Sequence, residues 1–180
     1  MTTGNTGSIL LVDEDDNILG TAEKLEVHQK GLLHRAFSVF IFNDEGDILM
    51  QKRSGMKYHS PNVWTNTCCS HQTSQTSEMQ YIHGRLRQEM GFDTELAFLF
   101  KHRYRTQFDN GLTEHEIDHV YYGIYNGDPI PNPEEVAAWR WSDCDMVLRD
   151  ISAKPDEYSY WFRELYPLVF NTDRIQFILG

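Results

Sequence analysis

Residues 32–42 read LLHRAFSVFIF. Successive side chains of a strand point to opposite faces, and here both alternating sets are largely apolar. A strand that is apolar on two faces is covered on both, which makes this the central strand of a sheet with helices on each side. Upstream, SILLVD (8–13) reads as a further strand. Downstream, DEG (44–46) breaks the run as a hairpin turn before DILMQKR (47–53). A polar helix is expected from about Thr76 to Met90, with Gly91 placed as a left-handed C-terminal cap. The stretches ELAFLFKHRYRTQ (95–107) and EHEIDHVYYGIY (114–125) give two more strands around the turn signal DNG (109–111). After the proline-bearing DPIPNP, a short strand AAWRW (137–141) leads to a helix capped by Ser142 and another from about Asp156 to Phe170. Repeats and low-complexity tracts are absent. The pattern predicts an α/β (α+β) fold, a helix–sheet–helix sandwich with a sheet of mixed strand direction, as a single domain over residues 1–180.

A chain of 180 residues with 40% hydrophobic content can bury a substantial core. Its formal net charge of -11 argues against a polyanion-binding surface, because phosphate contacts along nucleic acid need clustered Lys and Arg. The opening MTTGNTGSILLVDE has no basic segment and only a short apolar run. Three clustered cysteines are too few for a disulfide framework. The expectation is a cytoplasmic protein with reduced thiols, acting without nucleic acid or membrane, as a monomer or weak homodimer.

Chemistry concentrates in two segments. WTNTCCSH (64–71) sets two thiols beside an imidazole, and EHE (114–116) supplies carboxylates. If the second is a strand, Glu114 and Glu116 share one face while His115 and Ile117 take the other. An isolated pair of this kind is more often an exposed acidic edge, and a single histidine is more often a surface or hydrogen-bonded one. Three imidazoles change that balance: His28 and His34 bracket the start of the central strand, and His71 closes the thiol segment. Together with the two glutamates they would form a mixed nitrogen and oxygen shell suited to Zn, Mn or Fe rather than Mg. Spacing alone does not bring them together. Adjacent side chains of an extended segment diverge, so only one of Cys68 and Cys69 can enter a shared pocket.

In GLLHRAFSVFIF, WTNTCCSH, EHEID and the late YSYWF, in this order, the chain resembles type I isopentenyl diphosphate isomerases, members of the Nudix fold superfamily. The likeness runs from about Lys24 to about Phe162. It implies a Nudix-like α/β/α sandwich and the interconversion of isopentenyl and dimethylallyl diphosphate in isoprene biosynthesis. Position by position, it implies that Cys69 and Glu116 are the opposed catalytic groups and that Tyr104 and Trp161 are active-site aromatics. His28, His34, His71, Glu114 and Glu116 match the family's metal shell, holding one divalent ion, Zn2+ or Mn2+. Glu89, with Cys69, matches the surroundings of Mg2+ and the diphosphate, and Lys24, Arg53, Lys57 and Arg85 match the diphosphate-binding cations. Gln72 departs from the proline common at that position. A shell lacking His28 would keep four protein ligands plus water.

These residue types suit the reaction. Shifting a double bond adds a proton at one carbon and removes one at another, so two groups on opposite sides serve better than one. The tertiary carbocation between them calls for a dry, inert wall, and an indole face attracts a cation by ~2 kcal/mol when desolvated. Without the resemblance, Trp161 reads as a core residue of an amphipathic helix with Phe162, Leu165 and Val169. A rival is a Nudix pyrophosphohydrolase. Counting back from Gly91, the chain keeps Glu89 but has Gln88, Arg85, Gly84 and Thr76 where the hydrolase signature has Glu, Glu, Arg and Glu. Too few carboxylates remain for multi-metal hydrolysis. A binding module for metal or prenyl diphosphate would need neither Cys69 nor Trp161.

Overall fold

The computed structural model describes residues 7–57, 59–73 and 77–179. Within them, β3 (His34–Phe42) forms the middle of a nine-stranded mixed sheet, buried without a break from Ala36 to Phe42. It runs parallel to β8 (Thr113–Ile124), in register from His34 opposite Glu116 to Phe42 opposite Ile124. Three antiparallel strands share its other edge. They are β1 (Ser8–Val12) at His34, β6 (Cys68–His71) at residues 36–39 and β4 (Asp47–Arg53) at residues 41–42. β4 therefore parts from β3 after two residue pairs and continues with β9 (Val136–Asp143) and the short β5 (Trp64–Thr65). The sheet splits where β6 wedges in. β2 (Ile18–Glu23) pairs with β1, and β7 (Leu96–Gln107) closes a long hairpin with β8.

Alternation divides the central strand between two cores. Phe37, Val39 and Ile41 pack with Cys68 and with Ile82, Leu86 and Met90 of α2 (Glu78–Met90). Phe40 and Phe42 face the other way, toward Val147 and Ile151 of α3 (Cys144–Ala153) and Phe162, Leu165 and Val169 of α4 (Tyr160–Phe170). α5 (Asp173–Leu179) adds Ile175 to this layer. Phe40, Phe162 and Tyr166 stack near-parallel at 5.1–6.4 Å. Such contacts add to the burial of ~150–250 Å² per aromatic ring.

Several boundaries differ from the sequence expectation. The ladder between β9 and β4 runs on to Asp143 opposite Asp47, so Ser142 lies inside a strand and does not cap α3. The cap is Asp143, whose carboxylate accepts from the Met146 amide at 2.7 Å and also complements the positive end of the helix dipole. The helix expected from about Asp156 to Phe170 is present as α4 and ends at Phe170, but it begins four residues late, after a 3-10 turn at Pro155–Glu157. Tyr158 then bridges to Trp64, and the Ser159 amide donates to the Trp64 carbonyl, which holds the chain extended until α4 begins at Tyr160. Helix α1 (Lys24–Lys30) and strand β2 escaped the pattern, since seven and six residues carry little periodicity. Thr76, the expected first residue of α2, lies outside the described residues.

Gly91 ends α2 at φ 76°, its amide donating to the Arg87 carbonyl. A Cβ here would come within 2.2 Å of the Ile130 carbonyl oxygen, a backbone atom with no freedom to yield. Gly91→Ala is expected to cost at least about 2 kcal/mol, combining the left-handed penalty with the clash. Urea unfolding measures it, and a loss under about 0.5 kcal/mol would mean that the 128–133 loop relaxes at little cost.

Candidate active site

Pairing register builds the site. His34, Ala36 and Ser38 share one face of β3. Across β6, Ala36 stands opposite His71 and Ser38 opposite Cys69, while across β8 His34 stands opposite Glu116 and Ala36 opposite Asp118. Directly opposed residues project to the same side of a sheet, so imidazoles, a thiol and carboxylates all rise from one face. Tyr104 joins them from β7, where it is paired with Glu116. The small side chains of Ala36 and Ser38 leave a hollow, and Trp161 of α4 forms its wall. Cys68, opposite Val39, points to the other face and is fully buried against α2.

Within this hollow, donor atoms of His28, His34, His71 and Glu114 lie within 4.8 Å of one another. His28 enters from α1, and its Nδ1 meets the Lys24 carbonyl at 2.6 Å; His34 Nδ1 meets the Leu32 carbonyl at 2.8 Å. A carbonyl only accepts, so each Nδ1 carries a proton and each Nε2 is left facing Glu114 Oε2, at 3.0 and 3.4 Å. His71 Nε2 lies 3.3 Å from His28 Nε2 and 2.8 Å from Glu116 Oε1. Imidazole nitrogens packed this closely around carboxylates need positive charge among them, as protons or as a cation. Nitrogen and oxygen donors bind such ions at roughly 2.0–2.2 Å, and Glu114 Oε2 lies 3.0–3.4 Å from the Nε2 atoms of His28, His34 and His71. The residues thus fit a divalent transition ion, with imidazole nitrogen and carboxylate oxygen as donors.

The carboxylates exert a strong pull on any positive charge in this cluster. Burial alone would lower the His34 imidazole, but the pull of Glu114 and Glu116 overrides it and raises its pKa to about 10. Burial would raise Glu114, whereas His71, His28 and His34 hold it well below the usual carboxylate range. Glu116 is also lowered, against the opposing effects of burial and the Glu114 charge. Its two oxygens are divided: Oε1 faces His71, and Oε2 accepts from the Tyr104 hydroxyl at 2.5 Å. Burial pushes the Cys69 thiol up to about 12 in spite of Arg53. Burial and Glu116 raise Asp118 well above its ordinary value, and it accepts from Ser38 Oγ at 2.8 Å.

Lys24, Arg53, Lys57 and Arg85 line the same hollow. They arrive from α1, the end of β4, the loop after it and α2. The Arg53 guanidinium sits 5.0 Å from the centre of the Trp161 ring. Glu135 pairs with both Lys57 and Arg85, from the loop before β9. Glu89 pairs with Arg85 and accepts from Gln51 at 2.9 Å; it stands behind the cations and not on the cavity wall.

A NUDIX domain model matches residues 32–162. The chain is 44% identical over 153 residues to isopentenyl-diphosphate Delta-isomerase 2 of Aromatoleum aromaticum, covering 85% of this chain and 81% of that protein. It is 42% identical over 154 residues to the isopentenyl-diphosphate Delta-isomerase of Serratia proteamaculans, covering 86% of each. The chain belongs to the isopentenyl-diphosphate Delta-isomerase family. Among solved structures, a Deinococcus radiodurans protein superposes with a TM-score of 0.76 over 91% of this chain and 99% of that one, at 17% identity. A MutT NUDIX hydrolase of Burkholderia pseudomallei gives 0.60 over 76% and 98%, at 19% identity. At such identities the likeness is one of fold, and the isomerase relationship rests on the sequence matches.

Three residues at this isomerase-family site were not singled out from the sequence. Asp118 continues the alternation of Glu114 and Glu116 by one more step, and that signal was present in EHEID. His59 and Glu135 reach the site from loops, where no periodicity marks them.

Proposed function

We propose that the chain interconverts isopentenyl and dimethylallyl diphosphate through a tertiary carbocation, with Cys69 and Glu116 as the proton-transfer pair. The observation that carries this reading is the division of Glu116 between His71 and Tyr104 in a cavity that Cys69 also lines. The thiol holds its proton at neutral pH while Glu116 is ionised, so the two groups begin as donor and acceptor. Cys69 delivers a proton to the terminal carbon of the alkene, leaving the positive charge on the tertiary carbon. Glu116 removes a proton from the neighbouring methylene, and the electron pair of that C–H bond becomes the new double bond. Tyr104 holds the accepting oxygen in place. Proton exchange with solvent then returns Cys69 and Glu116 to their starting states.

Trp161 faces the cavity with its apolar ring, and differential attraction of about 2 kcal/mol near the transition state is more than tenfold in rate. Lys24, Arg53, Lys57 and Arg85 would bind the diphosphate. His28, His34, His71, Glu114 and Glu116 would hold Zn2+ or Mn2+, and Glu89, now paired with Arg85 behind the cavity wall, would hold Mg2+ with the diphosphate near Cys69 on turning from that guanidinium. When bound, these ions supply charge neutralisation and tune the acidity of Glu116. The 180 residues are read as one isomerase domain, supported by a continuous sheet. Among the described residues no helix is long and apolar enough to cross a membrane. A cytoplasmic monomer or weak homodimer without nucleic acid fits the composition.

Turnover in deuterated water with Mg2+ is expected to place deuterium in dimethylallyl diphosphate. Mass spectrometry of the product reads it. Inorganic phosphate released from an unlabelled substrate would favour hydrolysis instead.

A further inference from the structure

Lys57 and His59, both from the segment that follows β4, line the cavity. Ser60 and Asn62 adopt left-handed conformations at φ 46° and 60°, common for Asn but unusual for Ser. Arg53 holds this segment: its Nε donates to the Ser60 carbonyl at 2.9 Å and its Nη2 to the His59 carbonyl at 3.2 Å. The result is a fixed imidazole. His59 is 8% exposed and stacks on Phe108 at 5.7 Å with 17° between the planes. It also presents its edge to Trp161 at 5.9 Å and 77°. Its Nε2 lies 3.5 Å from Glu114 Oε1.

We propose that His59 is a positioning residue that fixes the carboxylate of Glu114 and seals the cavity between Phe108 and Trp161. The inference rests on the metal-centre reading above and extends it. Glu114 turns Oε2 toward the three convergent imidazole nitrogens, and His59 stands at the other oxygen. A neighbour at Oε1 restricts rotation of the carboxylate about its last bond and would keep Oε2 toward an ion held by the imidazoles. Groups in this relation to a metal ligand are worth roughly 10–100-fold in affinity. The same ring separates the centre from the tryptophan wall, where water would trap a carbocation. One side chain thereby links the two halves of the site.

The test uses the full chain and the metal alone, Zn2+ or Mn2+, titrated in competition with a chromophoric chelator. In His59→Gln, the amide nitrogen can stand in for Nε2, and affinity is expected to stay within about threefold of the parent. In His59→Phe, which keeps the ring, and in His59→Asn, which is too short to reach Glu114, affinity is expected to fall roughly 10–100-fold. Thermal unfolding of the metal-free variants separates loss of fold from loss of the contact, and either of the last two suffices. Parent-like affinity in a folded His59→Phe or His59→Asn overturns the proposal, as does a His59→Gln loss equal to that of His59→Phe. If the parent itself binds neither ion, the metal centre falls, and the role of His59 with it.

Discussion

Cys69→Ala is expected to lower kcat by about 10²–10⁴-fold, the usual contribution of a positioned proton-transfer group. Cys68→Ala, one residue away, is expected to keep kcat within roughly twofold while losing about 1 kcal/mol of stability. The contrast follows from strand geometry. Cys69 stands opposite Ser38 and opens to the cavity, whereas Cys68 stands opposite Val39 and packs against Ile82 and Leu86. Single-turnover rates and urea unfolding on both variants measure the two effects separately. Equal kinetic losses would remove Cys69 from its assigned part. The raised thiol pKa adds a constraint on pH dependence: Cys69 stays protonated through the range where an ordinary thiol ionises, near 8.5.

Glu116→Gln is expected to have a comparable effect, about 10²–10⁴-fold in kcat, because the amide neither accepts the departing proton nor presents an anion to His71. Tyr104→Phe removes only the hydroxyl that holds Oε2, and about tenfold is expected, the value of one hydrogen bond of roughly 1.4 kcal/mol. Since both act on one proton path, the double variant should be no slower than Glu116→Gln alone. Steady-state rates of the three variants decide this. A Glu116→Gln enzyme within tenfold of the parent, or fully multiplicative losses, would place the acceptor elsewhere.

Much of the fold was legible because the decisive strand is apolar on both faces, and only a covered central strand reads that way. Its division between two helical layers follows residue by residue, Phe37 to one side and Phe40 to the other. Elements defined by partners were less visible. The extended Tyr158 depends on Trp64, ninety-odd positions earlier, and Asp143 became the cap because β4 extends the ladder of β9. The shared face of Glu114 and Glu116 could be read from alternation, and the same rule extends to Asp118, which was not singled out. The convergence of His28 and His71 on that face depends on α1 and on the pairing of β6, neither of which has a local signature. His59 and Glu135 needed loop paths that only the folded chain supplies.

The parallel pairing of β3 with β8 has a consequence for how activity arises during folding. His28 and Glu114, which meet in the buried imidazole–carboxylate cluster, are 86 positions apart in sequence, and nothing brings them near each other until β3 and β8 have aligned. Contacts of such long range carry a large chain-closure cost and form late. Catalysis should therefore be all-or-none with respect to the native topology: a chain with only its hairpins and helices in place has none of it, and recovered turnover after denaturation reports completion of the whole sheet.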